Sequence, residues 1–579
     1  MSEVAIRAEQ PRLEHPTRLS SLLFEAKAAV FRARRLTTDL LAGPSRLLRA
    51  DVSGFEMAAG QSRTPLWSDT RAAERVLQWG KVHNLRVAAQ TLDRTLVPAG
   101  SVFGFWKQLG RPSRLRGFVD GRMLKEGCLM RSTGGGLCQL SNALYEAALQ
   151  AGCEIVERHA HSRIVPGSAA AAGRDATIAW NYVDLRFRAP RDLLLRVIVE
   201  RDALDVRLLA REPGLSQEIG EPLVEATEAA ETCATCNKTD CAHFERIREA
   251  PAGRTAFLVD ANWPEFRDFV GRVKRQGDAL ALPLNGARWR IGRYRWDTAG
   301  FSSVTTATAA TLARSAALRF SKDGAPRRRV EFRSAARIAV RLARALKPDV
   351  TEVCVAQSLL PYLWRDGHLG GRRFSILMTR LPMAEIQARL DAAARAHPER
   401  ETLSDFRADP VLVRAEAEAL AAAEQIITPH AEVAEMFGER AVRLEWSRPK
   451  SSQRTGQAVA RRIAFPGPTL ARKGAYEVRE AARALDLAVV LVGSELEGPD
   501  FWKGVRTRRT DRSNWLDGVV TVVQPALLEE SPRPLLQALA AGVPVIATSA
   551  CGLPAQLGLT LVPALSTAEL VEALAKIVA

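Results

Sequence analysis

Residues 462–493 read RIAFPGPTLARKGAYEVREAARALDLAVVLVG, and their order decides the fold. RIAFPG is an apolar run of strand length, AYEVREAARAL carries apolar residues at helical spacing, and AVVLVG is a second strand. Strand, helix and strand joined by short turns form a parallel pair with a crossover connection. The alternation continues outward through TAFLVD, EVCVA, FSILMT, QIITP, GVVTVVQP and VPVIAT, with Ala- and Arg-rich helical stretches such as VRAEAEALAAAE between them. This pattern predicts an α/β class with two doubly wound, Rossmann-like parallel-sheet domains over 251–450 and 451–579, divided at the polar stretch WSRPKSSQRTGQAVA.

Open parallel sheets bind ligands beyond the carboxyl ends of their strands, where helix N-termini present free N–H groups and partial positive charge. After RIAFPG, the turn brings Arg472, Lys473 and Gly474 to the entrance of a helix; after GVVTVVQP comes ALLEESPRPLLQALAAG, which carries Glu529 and Gln537. Both loops are expected to face one cleft. In the first half, Asp260, Asn262 and Trp263 follow TAFLVD, and Gln357 and Ser358 follow EVCVA, where acceptor contacts belong in such a fold.

Over about 250–579 the chain resembles the nucleotide-sugar-dependent glycosyltransferases of the two-Rossmann-domain (GT-B) class, group 1 family. Three runs carry the likeness in order: EAEALAAAEQIITPHAEVAEMF, RIAFPGPTLARKGAYEVREAARAL and PALLEESPRPLLQALAAGVPVIAT. The resemblance implies a nucleotide-diphosphate sugar as donor substrate. It assigns Lys473, with Arg472 and Gly474, to the diphosphate, Glu529 to the donor sugar, and Gln537 to the ribose. A fixed ammonium beside a departing diphosphate stabilises the charge that develops there without a metal ion. Two positions depart from the family pattern: its second glutamate is Gln537 here, and the arginine of its Gly-Arg pair is Pro468. These two favour an alternative, a binding or scaffold protein with a degenerate transferase half.

Upstream, NLRVAAQTLDRTLVPAGSVFGFWKQLGRPSRLRGFVDG, STGGGLCQLSNALYEAALQAGCEIVERHAHS and GRDATIAWNYVDLRFR resemble the VanW family, over a domain bounded at 76–212, of α/β or α+β type. The family likeness supplies no reaction, but the residues suggest one. Cys138 follows three glycines and opens a helix, a position that favours thiolate. His159 and His161 follow on an extended run with opposite side-chain directions, and Asp175 on the next. Cys138, His161 and Asp175 then form a candidate thiol triad for acyl transfer or hydrolysis, with His161 preferred because His-Ser matches the family pattern. A buried inert cysteine beside a turn built for tight packing is the alternative reading.

Residues 213–250 are acidic, poor in large apolar side chains, and centred on Cys233, Cys236, Cys241 and His243. These four suit a metal-stapled knob in a linker, with structural zinc expected ahead of an iron–sulfur cluster. Eight cysteines in 579 residues do not form the disulfide framework of a small secreted domain. Residues 1–75 form a basic helical segment in which LSSLLFEAKAAVFRARRLTTDLL is amphipathic; packing on the next domain is favoured over a membrane-surface role.

With 82 Lys+Arg against 65 Asp+Glu, the net charge of +17 suits anionic partners. An aromatic-plus-basic nucleic-acid motif is missing, so nucleic acid is not expected. No apolar window reaches transmembrane length and the N-terminus lacks a signal-peptide core, so the expected setting is the cytoplasm, peripheral at the inner membrane face where the positive charge meets anionic lipid. The acceptor implied by both resemblances is an envelope or polysaccharide precursor.

Overall fold

A computed structural model describes residues 18–67, 69, 71–125, 128–160, 175–212, 252–449, 459, 461–510 and 514–578. The described chain divides into two compact units, one running up to Gly253 with Gly367–Arg372, the other Arg254–Asp366 with Arg373–Ala579.

In the first unit a four-stranded antiparallel sheet has the order Met57–Pro65, Ala203–Ala210, Leu193–Val199, Thr95–Val97. Helices Arg75–Leu92 and Leu137–Gln150 pack on it. Leu140, Ala143, Leu144 and Ala147 recur at three- and four-residue intervals and are buried, which places one stripe of the second helix in the core. Each fully buried leucine contributes roughly 1.5–3 kcal/mol. Gly60 makes this packing close: a Cβ there would lie 2.0 Å from the Ala147 carbonyl oxygen. The hairpin Asp120–Lys125/Cys128–Thr133 and a three-stranded sheet of Val102–Gly104, Arg186–Arg188 and Glu154–Glu157 complete the unit. The region is therefore mixed helix and antiparallel sheet.

The second unit holds two parallel sheets. The first has seven strands, in the order Ser303–Thr306, Ala279–Leu282, Arg254–Leu258, Val350–Ala356, Arg373–Leu377, Gln425–Thr428, Ala441–Arg443. The second has six: Arg506–Arg509, Ala488–Leu491, Arg462–Phe465, Thr521–Gln524, Val545–Ala547, Leu559–Leu561. Among the described residues every strand pairing in both is parallel. Central strands such as Thr521–Gln524 are buried on both faces, the reason the sequence shows continuous apolar runs rather than alternation. In each sheet the chain winds outward from one central strand and then returns to wind the other way. The reversal falls between Arg254–Leu258 and Val350–Ala356 in the first, and between Arg462–Phe465 and Thr521–Gln524 in the second. Such reversals open a crevice at the carboxyl ends of the two strands, because the flanking connections leave on opposite faces.

Candidate active site

At the reversal in the second sheet, Lys473 comes from the loop after Arg462–Phe465 and Glu529 from the loop after Thr521–Gln524. Lys473 Nζ donates to Glu529 Oε2 at 2.9 Å and to the Leu528 carbonyl at 2.9 Å, leaving the third ammonium hydrogen for another acceptor. Glu529 Oε1 accepts from the backbone N–H groups of Glu530 and Ser531, both at 2.9 Å, and Oε2 also from Gln524. Burial pushes the Glu529 carboxyl up, but the Lys473 charge and these donors outweigh it and hold it below the usual carboxylate range.

Gly474 explains how the loops come so close. Its φ of +81° suits glycine, and a Cβ there would sit 2.4 Å from the Pro525 carbonyl oxygen. The glycine therefore seats the lysine-bearing turn directly on the glutamate-bearing loop. The Leu527 N–H, donating to the Arg472 carbonyl at 2.9 Å, fastens the same two loops.

Arg472 lies over the Phe406 ring at 4.8 Å, and Arg328, from the helix Ala325–Leu342, lies over the same ring at 4.0 Å. Arg380, just after the strand Arg373–Leu377, comes within 3.8 Å of Glu530. Among the described residues the Nε atoms of Arg328, Arg380 and Arg472 are buried without a hydrogen-bond partner. Burial pulls the Arg472 and Arg328 guanidinium values down. At Arg380 burial acts the same way, but Glu530, Glu416 and Asp260 outweigh it. Arg328, Arg380 and Phe406 carried no motif and were not expected from the sequence.

In the first sheet, Ser358 Oγ donates to Asp260 Oδ2 at 2.6 Å across the other reversal, so two residues singled out by strand-end position meet there. Gln357 is instead buried and structural, donating to the Leu381 carbonyl and to Glu416. The Asn262 N–H donates to the Arg293 carbonyl at 2.6 Å, and its Oδ1 is buried without a partner among the described residues. Trp263 packs edge-on to Phe266. Gln537 lies on the helix Arg533–Ala540, and its side-chain oxygen accepts from Trp515 Nε1 at 3.3 Å. Pro468 lies in a fixed turn: a Cβ on Gly493 would meet Pro468 N at 2.5 Å, and the Thr469 N–H donates to Ser494 O at 2.8 Å.

In the first unit, the Gly134-Gly135-Gly136 turn is filled by protein. A Cβ on Gly135 would lie 2.3 Å from Gly121, and one on Gly136 would lie 2.4 Å from the Lys81 side chain. Asn84 holds the turn by donating to the Gly135 and Val119 carbonyls, both at 2.9 Å. Cys138 is the second residue of the helix Leu137–Gln150, as its place after the glycines implied, and is partly buried. Its Sγ lies 3.9 Å from the Ile178 carbonyl oxygen. Ser141 donates to Ala176 O at 2.5 Å, and Asn142 accepts from Ala176 N at 2.9 Å. Together these three side chains clamp residues 176–178. Asp175 is buried, and its carbonyl accepts from Arg158. His159 faces Glu157 at 3.3 Å, and among the described residues Cys138 has no histidine partner. His161 lies outside the described residues.

Cys233, Cys236, Cys241 and His243 also lie outside the described residues. Among those described, no group of three or more His, Cys, Asp or Glu residues is arranged to hold a metal ion. Likewise, no described helix is long and apolar enough to cross a membrane.

The chain is 36% identical over 106 residues to the uncharacterized protein YoaR of Bacillus subtilis, covering 18% of this chain and 34% of that one. It is 32% identical over 142 residues to the vancomycin B-type resistance protein VanW of Enterococcus faecalis, covering 24% of this chain and 51% of that one. It thus spans about a third and about a half of the length of these curated relatives. Among solved structures it is similar to the lipopolysaccharide outer core galactosyltransferase WaaB, at 12% identity and a TM-score of 0.33, over 56% of this chain and 90% of that one. Residues 80–209 match the family model described as VanW like protein.

Proposed function

We propose that the unit built on the two parallel sheets is a glycosyltransferase that uses a nucleotide-diphosphate sugar and an envelope or polysaccharide acceptor. The observation that carries this reading is the Lys473–Glu529 pair, largely buried at the reversal of the second sheet with Arg472 beside it. In this reading the free hydrogen of Lys473 and the unpaired Nε of Arg472 bind the diphosphate. Both act where negative charge grows as the sugar–phosphate bond breaks, so they stabilise the transition state more than the ground state. Glu529, kept ionised, accepts hydrogen bonds from donor-sugar hydroxyls. Gln537 keeps its side-chain N–H groups for the ribose, since its oxygen is taken by Trp515. Asp260 and Ser358, at the other reversal, receive the acceptor hydroxyl. Supplying nucleotide sugars one at a time and measuring release of nucleoside diphosphate tests the reading. Activity unchanged in the Lys473→Ala, Glu529→Ala double variant would sink it.

A second reading, a non-catalytic binder of envelope precursors, is favoured by Gln537 and Pro468 standing where the resembled family carries Glu and Arg. It differs in one respect: precursors bind and no sugar is transferred from any donor. The VanW-like region supports that reading through the way its signature residues are used in packing, and the Cys138–His161–Asp175 thiol enzyme is the catalytic alternative for the same region.

A further inference from the structure

The helix Arg18–Ala42 is docked the opposite way round from an ordinary surface helix. A helix on a globular domain normally buries its apolar stripe and leaves its charged face in water. Here the docked face is mainly polar, although Phe31 also stacks on the Tyr182 ring at 6.3 Å. Arg35 pairs with Glu157 at 2.8 Å, Asp39 with Arg186 at 2.6 Å, Arg32 lies over the Tyr182 ring at 5.7 Å, and Ala28, one turn before Arg32, is buried. Positions 28, 32, 35 and 39 follow the four-three-four spacing of one helical face.

The opposite face is apolar and open. Leu19, Leu22, Leu23, Val30, Leu40 and Leu41 are each between 54% and 89% exposed. Ala26, Ala33 and Thr37 fall between them at three- and four-residue steps, so the stripe is continuous along the helix. Twenty-five residues at 1.5 Å per residue give a length of about 37 Å. Among the described residues nothing covers this stripe. Single exposed leucines are common, but an unbroken row of this length is characteristic of an interaction surface.

The charge on the helix selects the occupant. It carries five basic and two acidic residues, and Lys27 and Arg34, both exposed, border the apolar stripe. An apolar ridge edged on one side by cations matches the boundary between acyl chains and anionic headgroups, where leucines enter the apolar layer and ammonium and guanidinium groups remain among phosphates. It does not match a second copy of the same helix, whose like charges would be brought together at the rim. From this arrangement we infer that Arg18–Ala42 lies flat in the surface of an anionic bilayer and holds the first unit there. The ion pairs with Glu157 and Arg186 on its other face keep the helix attached to the domain while the stripe inserts.

Sedimentation of the full chain with vesicles tests this. Vesicles of equimolar phosphatidylglycerol and phosphatidylcholine should carry the protein down, pure phosphatidylcholine much less, and added salt should weaken the binding as the Lys27 and Arg34 attraction is screened. Leu23→Glu with Val30→Glu should reduce binding about tenfold or more while leaving the unfolding temperature unchanged, because both side chains are exposed in the folded chain. Lys27→Glu with Arg34→Glu should lower binding to the anionic vesicles and remove its salt dependence. Equal sedimentation of wild type and the Leu23→Glu, Val30→Glu variant would overturn the inference, as would absence of binding by wild type. A wild-type dimer in light scattering that becomes monomeric in that variant would overturn it in favour of self-association.

Discussion

Lys473 Nζ lies 2.9 Å from Glu529 Oε2, and the two side chains reach that contact from loops leaving adjacent strands at the point where the second sheet reverses its winding. A largely buried pair of this kind is expensive to break from one side, since the remaining charge loses its counter-ion in a poorly solvated place. Glu529→Gln or Lys473→Met alone should therefore lower stability by about 3 kcal/mol, and the double substitution by clearly less than twice that. Denaturant unfolding of the three variants checks this; strict additivity would mean the pair does not interact.

His430 caps the helix Ala431–Phe437 through Nδ1, which accepts from the Val433 N–H at 3.4 Å, while Nε2 faces the Ala550 carbonyl at 3.3 Å. Burial holds its pKa at about 4. A folded value below the ordinary value of about 6.5 means the unfolded chain binds the proton first. The contribution is thus fully present above pH about 6.5 and is lost as pH falls towards 4, about 3 kcal/mol in all. Thermal unfolding between pH 7 and 4 should show that loss. His430→Asn, which keeps a capping acceptor, should flatten it, and an unchanged slope would contradict the assignment.

In the first unit, Ser141 and Asn142 hold the Ala176 backbone from both sides. Ser141→Ala and Asn142→Ala should each cost about 1–2 kcal/mol, since each leaves a buried backbone group unpaired. Cys138, directed at the Ile178 carbonyl, should react slowly with iodoacetamide until the unit unfolds. Rapid labelling of the native protein, slowed in His161→Ala, would support the thiol triad instead.

Much of this was legible in the sequence because long apolar runs mark the inner strands of parallel sheets. Arg462–Phe465, Thr521–Gln524 and Val545–Ala547 all fall inside runs read as strands. The edges were not legible. Arg506–Arg509 is RTRR, exposed at every position, a charged edge that discourages further pairing and carries no apolar signal. Nor was one inner strand: Ala279–Leu282, ALAL, lies between two neighbours and is fully buried, but half of it is alanine, which strands use little. At the candidate site, Lys473 and Glu529, which the fold brings into contact, could be singled out because each sits in a recognisable loop. Arg328, Arg380 and Phe406 converge from a helix, a strand end and a loop that are far apart in sequence, and only the fold brings them together. In the VanW-like region the glycine run was visible and tight packing was one of the readings it allowed; which residues fill the space, Gly121 and Lys81, only the fold shows.

Metal analysis addresses Cys233, Cys236, Cys241 and His243. About one zinc per chain in a colourless preparation is the expected result. A brown preparation would replace zinc with an iron–sulfur cluster, and metal-free protein of full stability would remove the site.

The most direct test of the central claim is calorimetric titration of the full chain with nucleoside diphosphates and their sugar conjugates. Wild type should bind at least one of them, with affinity reduced about 10²-fold or more in Lys473→Ala and left nearly unchanged by Ser141→Ala, which lies in the other unit. Absence of binding by wild type at millimolar ligand, or equal binding by wild type and Lys473→Ala, would contradict the account.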